Sequence, residues 1–231
     1  VFTNIAGATA QSYDPPNLSA IGTYQYIRIV SSSVCGSSTS NVVTINVYAP
    51  PTVAPIGGTV CAGQTLQLFG NALPGSGSIV SHQWSGPGAA YLNSSSIENP
   101  IFNATALTSG SFILTYLALD SNGCQATANI TVTIAPLPVI TNPPLPSTIC
   151  SGQSVIYNPT SNLGSPPTVF SYTSTVTSGT VTGNTSSLNG NINDVLVNTG
   201  TTPATVVYTV TPGTPAGCAG FPITFTVTVS P

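Results

Sequence analysis

The sequence predicts an all-β protein made of antiparallel β-sandwiches, and three features of the chain predict this fold. Short segments alternate apolar residues with Thr or Ser, which is the period-2 pattern of a strand with one buried and one wet face. Clusters of Gly, Pro, Asn and Ser separate these segments, and no stretch keeps a helical period over a useful length. The same motifs also recur along the chain, as they do in proteins built from tandem domains.

Alternation and β-branched enrichment predict strands at eight places. In residues 130–134 (ITVTI), for example, the apolar side chains share one face and the Thr side chains the other. Several short strands in about 90 residues, joined by turns, are typical of an immunoglobulin-like (Ig-like) sandwich. The predicted strands are residues 23–30, 42–47, 65–69, 111–119, 128–134, 169–176, 205–211 and 223–229.

Two recurring sequence blocks define a repeat unit. A V/I-C-x-G-Q block opens the unit at Cys61 and again at Cys150, 89 residues later. A turn with a cysteine and then a Thr-rich strand close it; the turn cysteines are Cys35, Cys124 and Cys218. This register predicts the C-terminal part of a truncated repeat at 1–48 and complete repeats at 49–136 and 137–231.

Proline-rich segments at residues 49–55 and 135–146 join the predicted repeats. Such segments favour the extended polyproline II conformation and act as semi-rigid spacers. Two and a half sandwiches in file would form a rod on the order of 100 Å long, given a rise of about 3.3 Å per residue in strands. We therefore expect the sandwiches to be arranged as a rod.

The scarcity of charge argues against several classes of function. The chain has one Lys or Arg, four Asp or Glu and one His. Nucleic-acid binding needs clustered basic side chains, whereas acid–base catalysis or a Ca²⁺ site needs converging titratable groups. We therefore expect no catalytic residue, no cofactor, no metal and no nucleic-acid partner. No run of 18 apolar residues occurs, so we expect no membrane insertion in this segment.

Five cysteines and the absence of a C-x-x-C or Cys/His cluster point to disulfides in an oxidising compartment. Because the spacing repeats within the complete units, we predict the pairs Cys61–Cys124 and Cys150–Cys218. The alternative is that these cysteines are buried free thiols. Cys35 is left unpaired in this window.

The repeat register places the expected partner of Cys35 some 28 to 33 residues before Val1. We expect Tyr24, Tyr26 and Ile29 to belong to a sandwich whose first strands are absent or supplied by a neighbouring copy. Because the sequence also contains no Met, we expect it to be an internal or processed piece of a longer protein.

Individual residues have simpler explanations than ligand binding. Trp84 is expected in the inter-sheet core, as on the third strand of Ig-like sandwiches, rather than on a sugar-binding surface. His82 is assigned no role, and Asp120 is expected to cap a turn. Arg28 either pairs with a carboxylate or lies exposed. Five sequons would accept N-glycans in a eukaryotic secretory route; they begin at Asn17, Asn93, Asn103, Asn129 and Asn184.

Four motifs of the chain are shared with a group of bacterial surface proteins. They are the Cys-x-Gly-Gln opening, Trp84, residues 99–105 (NPIFNAT) and residues 115–124 (TYLALDSNGC). With them the chain resembles the PKD-like and Ig-like tandem repeats of large Bacteroidota adhesins, including gliding-motility adhesins exported by the type IX secretion system. The resemblance covers nearly the whole chain. In the last repeat residues 211–213 (TPG) replace the Asp-Ser-Asn turn, and Tyr172 stands roughly at the place of Trp84.

Three functions are consistent with these observations. The first is a stalk segment of a secreted cell-surface adhesin, which contacts neighbouring repeats of its own chain and projects a distal binding region. The second is a repeat or subunit of an extracellular filament that self-associates, because low net charge favours association and the edge strands lack Lys. The third is a carbohydrate-binding module of a secreted hydrolase, which would need Trp84 and the tyrosines to be exposed.

Overall fold

Short strands and tight turns make up almost all of the regular structure. The computed structural model describes residues 1–164, 167–188 and 190–231, and in these residues the only helix is a 3-10 helix, Pro87–Tyr91. The all-β prediction is confirmed. The strands are β1 (Gly22–Tyr26), β2 (Ile29–Ser32), β3 (Gly36–Thr39), β4 (Val43–Val47), β5 (Thr52–Val53), β6 (Gly58–Cys61), β7 (Thr65–Gln67), β8 (Ala72–Leu73), β9 (Ile79–Ser85), β10 (Ile101–Asn103), β11 (Gly110–Asp120), β12 (Gln125–Ala135), β13 (Ser147–Cys150), β14 (Gln153–Tyr157), β15 (Val169–Ser178), β16 (Val181–Thr182), β17 (Ile192–Asn198), β18 (Ala204–Gly213) and β19 (Ile223–Ser230).

The chain divides into two compact units that are not continuous in sequence. The first contains residues 1–57, 67–101 and 113–130, and the second contains residues 58–66, 102–112 and 131–231. The division separates parts of the predicted repeat 49–136. The three predicted repeat boundaries therefore stay a prediction from the sequence register.

One four-stranded sheet order occurs twice along the chain. The strand order is β6-β12-β11-β9 in the first sheet and β13-β19-β18-β15 in the second. In both sheets the opening strand runs parallel to the closing strand, β6 beside β12 and β13 beside β19. The pairs β11–β9, β15–β18 and β18–β19 are antiparallel. The parallel pair is possible because the opening and closing strands are far apart in sequence, so no tight turn has to join them.

The core of the last repeat lies between the sheet β13-β19-β18-β15 and the sheet β14-β17-β16. Strand β18 alternates buried and half-buried residues along its whole length, so that every second side chain points inward. Burying one large apolar side chain contributes about 1.5–3 kcal/mol, so these inward side chains stabilise the last repeat. Its fully buried members include Ile192, Leu196, Val206, Tyr208, Val210, Val227 and Val229.

Residues 49–136 contain further buried side chains. In β11, buried and half-buried residues alternate from Leu114 to Asp120. In β12, the buried residues Ile130, Val132 and Ile134 alternate with more exposed ones. The largest fully buried side chains there are Leu68, Trp84, Phe102, Leu114, Tyr116, Val132 and Ile134.

The N-terminal strands form a long hairpin rather than a closed core. Strand β1 pairs with β4, and β2 pairs with β3. Tyr24 and Tyr26 share one half-buried face of β1, but no residue in 1–50 is buried. The predicted strand 23–30 is corrected to two strands, because the regular ladder is interrupted at Ile27 and Arg28. Ile29 consequently lies on β2 and is 55% exposed.

Candidate functional site

The cysteine turns at Cys124 and Cys218 have the same backbone geometry. In one turn the Asp120 N–H donates to the Cys124 carbonyl at 2.9 Å, and the Cys124 N–H donates to Asp120 Oδ1 at 2.8 Å. In the other, the Thr214 N–H donates to the Cys218 carbonyl at 2.9 Å, and the Cys218 N–H donates to Thr214 Oγ1 at 3.2 Å. A glycine with φ of 83° or 82° precedes each cysteine. Cys124 and Cys218 are therefore structurally equivalent.

The cysteines of the two opening strands are equivalent as well. Cys61 is in register with Ala135 at the end of β12, and Cys150 is in register with Ser230 at the end of β19. In both repeats the amide that follows the cysteine donates to the carbonyl of that partner residue, at 2.9 Å. Strands β12 and β19 thus each have one cysteine beside their last residue and one in the turn before they begin.

The structure corrects the two predicted disulfides. It joins Cys61 to Cys218, 157 residues apart, with a Cα–Cα distance of 5.5 Å. Cys35 and Cys150 are exposed free thiols, and Cys124 is a half-buried free thiol. The bond therefore links an opening-strand cysteine of one predicted repeat to the turn cysteine of the next.

The length of the closing strand explains why the predicted pair cannot form within a repeat. Cys124 immediately precedes β12 and Cys61 lies beside its last residue, Ala135. Eleven residues at about 3.3 Å each separate these two positions by roughly 35 Å. A disulfide requires Cα atoms within about 7 Å. Strand β19 separates Cys150 from Cys218 in the same way.

The disulfide lies beside the proline-rich segment that follows β12. Cys61 contacts the end of β12 through its register with Ala135. On the other side, Gly220 lies so close to the Pro138 carbonyl that an added Cβ would be 1.8 Å from that oxygen. The Gly220 N–H donates to the Pro212 carbonyl at 2.8 Å. The chain leaving β12 is therefore held near the turn that carries Cys218.

Trp84 is buried in the core, as predicted, with 2% of its surface exposed. Its indole N–H donates to the carbonyls of Ile97 and Glu98, at 3.0 and 3.3 Å. The Trp84 ring packs against Tyr116 with the centroids 4.6 Å apart. The Tyr116 hydroxyl is hydrogen bonded to His82 Nδ1 at 2.6 Å. Burial, with a smaller effect from the Glu98 charge, raises the pKa of Tyr116 to about 12.

Asp120 caps its turn, as predicted. Its Oδ1 accepts the N–H groups of Asn122 and Cys124, at 2.9 and 2.8 Å. The carboxylate is buried, and Oδ2 has no hydrogen-bond partner. This side chain fixes the shape of the turn that presents Cys124.

Asp194 is a buried polar group that the hydrophobic pattern of the sequence does not reveal. Its Oδ2 accepts the Thr185 N–H at 2.8 Å and the Tyr208 hydroxyl at 2.7 Å, while Oδ1 accepts the Thr185 hydroxyl at 2.6 Å. Burial, followed by the hydrogen bond to Asp194 and its charge, raises the pKa of Tyr208. These donors satisfy the carboxylate, which makes it a structural group.

The remaining sites singled out from the sequence are dispersed. Arg28 is exposed, and its backbone exchanges hydrogen bonds with Ser40. Of the five sequon asparagines, only Asn184 is half-buried, and its amide donates to Ser174 Oγ at 2.9 Å.

Two features are absent from residues 1–164, 167–188 and 190–231. These residues contain no group of three or more His, Cys, Asp and Glu side chains that could hold a metal ion. None of their helices is long and apolar enough to cross a membrane.

Comparison with protein families gives two partial matches. Residues 147–231 match the model of a PKD-like domain, so the PKD-like resemblance is supported for the last repeat. The match begins at the first residue of β13. Residues 1–49 match a domain of unknown function, DUF8696. No curated protein is significantly similar to the chain.

Several solved structures resemble the chain weakly. The N-terminal eight Ig domains of Down Syndrome Cell Adhesion Molecule are 17% identical, with a TM-score of 0.49; the match covers 91% of this chain and 28% of that one. Three Ig domains of titin are 14% identical, with a TM-score of 0.41, and the match covers 91% and 75% of the two chains. Fibronectin(III)-like modules of Clostridium thermocellum CbhA are 14% identical, with a TM-score of 0.38 and coverages of 78% and 94%.

Proposed function

We propose that the chain is a structural stalk segment of a long secreted cell-surface adhesin. In this role tandem sandwiches hold a distal binding region away from the cell and serve surface adhesion or gliding. The observation that carries the proposal is the bond between Cys61 and Cys218, which belong to successive sequence repeats. A covalent link at this place limits how far the chain can extend when it is pulled.

Further features support an extracellular, non-catalytic role. Disulfides persist in oxidising compartments outside the cytosol. The buried carboxylates Asp120 and Asp194 are engaged in fixing the backbone or a core tyrosine rather than facing a cleft. The PKD-like match of residues 147–231 agrees with the resemblance to tandem surface repeats. Origin in a Bacteroidota species and export by type IX secretion belong to this proposal and rest on the sequence resemblance.

A filament subunit is the alternative that a specific observation favours. Large apolar side chains are exposed on strands, among them Val80, Ile113 and Ile156 at 59%, 56% and 68%. Few charges oppose pairing of such strands with another copy. The carbohydrate-binding alternative loses its best candidate platform, because Trp84 is buried.

The mass and shape of the particle in solution separate these functions. We expect analytical ultracentrifugation of the oxidised 231-residue chain to give a monomer of 23.2 kDa with a frictional ratio well above that of a globular protein. Negative-stain electron microscopy should show single elongated particles. Concentration-dependent polymers of regular repeat would contradict the stalk and support the filament. A compact monomer would contradict both.

A further inference from the structure

We propose that Cys150 and Cys124 each form a disulfide with a repeat that lies outside their own copy of residues 1–231, in the arrangement seen for Cys61 and Cys218. Cys150 bonds to the turn cysteine of a following repeat. Cys124 bonds to the opening-strand cysteine of a preceding repeat. The proposal rests on the tandem arrangement in the proposed function, and it adds a specific covalent partner at each junction between repeats.

The first argument is the structural equivalence of the cysteines. Cys150 has the register of Cys61, beside the last residue of the closing strand, with the same 2.9 Å amide bond following it. Cys124 has the turn of Cys218, with matching hydrogen bonds on both sides. The observed disulfide therefore joins an opening-strand cysteine, Cys61, to a turn cysteine, Cys218. Cys150 is an opening-strand cysteine without a turn partner, and Cys124 is a turn cysteine without an opening-strand partner.

The second argument is that neither Cys124 nor Cys150 can form a disulfide with the other cysteine of its own repeat. Cys124 and Cys61 lie at opposite ends of β12, and Cys150 and Cys218 lie at opposite ends of β19. In addition, Cys61 and Cys218 are already bonded to each other. Cys150 is exposed and Cys124 is partly exposed, so both thiols can meet a partner.

The third argument is that a proline follows the last residue of each closing strand. Ala135 at the end of β12 is followed by Pro136, and Ser230 at the end of β19 is followed by Pro231. A repeat that continued from Pro231 in the register of residues 137–231 would bring its turn cysteine toward Cys150, as Cys218 is brought to Cys61.

The reaction is an ordinary oxidation of two thiols. Each cysteine loses its proton, the two sulfurs bond, and two electrons pass to an oxidant of the disulfide class, which is reduced to two thiols. The partner cysteine can belong to the same longer chain or to a second copy. In either case the partner of Cys150 is a turn cysteine and the partner of Cys124 is an opening-strand cysteine.

An extended chain tests the pairing. A second copy of residues 137–231, with its own Cys150 changed to Ser, is fused after Pro231, so that Ser230 and Pro231 are followed by Leu137 and Pro138 of the copy, as Ala135 and Pro136 are in the natural chain. The protein is equilibrated with reduced and oxidised glutathione, alkylated, digested with chymotrypsin without reduction and mapped by mass spectrometry. We expect Cys150 to be linked to Cys218 of the fused copy, in a monomer that also contains the Cys61–Cys218 bond.

A Cys→Ser change in the fused copy's turn is the matched control and should leave Cys150 alkylated while the Cys61–Cys218 bond still forms. The proposal is overturned if Cys150 stays alkylated in the extended chain although the Cys61–Cys218 bond has formed, or if Cys150 pairs with Cys124 of the same chain.

The unextended 231-residue chain, oxidised in the same way, provides a second test that needs no new junction. Covalent dimers that link Cys150 to Cys35 or Cys124 of another copy would assign the partner to a second chain. Dimers linked through two Cys150 residues would overturn the pairing rule. A failure of this pairing leaves the monomer mass and shape of the proposed stalk untouched, so the two proposals fail separately.

Discussion

At the residue scale, hydrogen bonds to a buried carboxylate connect the strands around the core of the last repeat. Asp194 lies within the core of the last repeat, 4% exposed, and accepts hydrogen bonds from Tyr208 and twice from Thr185. A buried carboxylate is tolerated only when such donors surround it. The cluster therefore ties β17 and β18 to the segment that carries Thr185.

Tyr208→Phe should lower the free energy of unfolding by about 1.5–3 kcal/mol, because it removes a hydrogen bond to a buried charged group. Tyr157→Phe is the matched control, since the Tyr157 hydroxyl donates to a neutral carbonyl, that of Asn142 at 3.0 Å. This control should cost about 0.5–1.5 kcal/mol. Urea denaturation followed by circular dichroism measures both variants. Equal losses for the two would contradict a charged acceptor in the core.

At the element scale, a close approach of two backbones accompanies the pairing of the short strand β16 with β17. Gly183 follows β16 with φ of 90°, and an added Cβ would lie 2.0 Å from the Val195 carbonyl of β17. Glycine is the residue that fits both the positive φ and the close approach of the two backbones. Strand β16 has only two residues, so the close approach at Gly183 helps to fix its position against β17.

Gly183→Ala should destabilise the chain by more than Gly152→Ala. Gly152 also has a positive φ, 86°, but a Cβ there would meet nothing within 4 Å. The control should cost about 1–2 kcal/mol from backbone strain alone, and Gly183→Ala a further 1–3 kcal/mol from overpacking. Thermal unfolding monitored by circular dichroism compares the two variants. Identical melting temperatures would show that the contact with Val195 relaxes without cost.

Strands with a uniform apolar face were the ones predictable from the sequence. Strand β18 was predicted at residues 205–211 and spans Ala204–Gly213, because Val and Tyr alternate regularly with other residues along it. Strand β17 was missed although its burial alternates at every residue. Two of its inward positions are Asp194 and Asn198, and these polar side chains break the hydrophobic pattern that marks a strand. Hydrogen bonds from distant residues, which the local sequence does not show, make those positions acceptable.

At the scale of the whole molecule, the disulfide depends on which strands are neighbours. The spacing of the five cysteines is compatible with pairing inside a repeat and with pairing between successive repeats. The parallel pairing of β6 with β12 decides between them, because it puts Cys61 at the end of the repeat away from Cys124. Trp84 and Asp120, by contrast, were predictable because local strand and turn chemistry alone determines their roles.

The scarcity of basic residues gives a prediction for the entire chain. Trypsin cleaves after Lys or Arg, and Arg28 is the one such residue. Arg28 is exposed between β1 and β2, so trypsin should cut the native protein at most once, after this residue. Residues 29–231 should stay intact because they contain no further site. Denatured protein should give the same two fragments, and Arg28→Gln should abolish cleavage of both forms. Mass spectrometry of a digestion time course measures this outcome, and specific tryptic peptides from within 29–231 would contradict it. Resistance of this kind suits a segment that persists among proteases outside the cell.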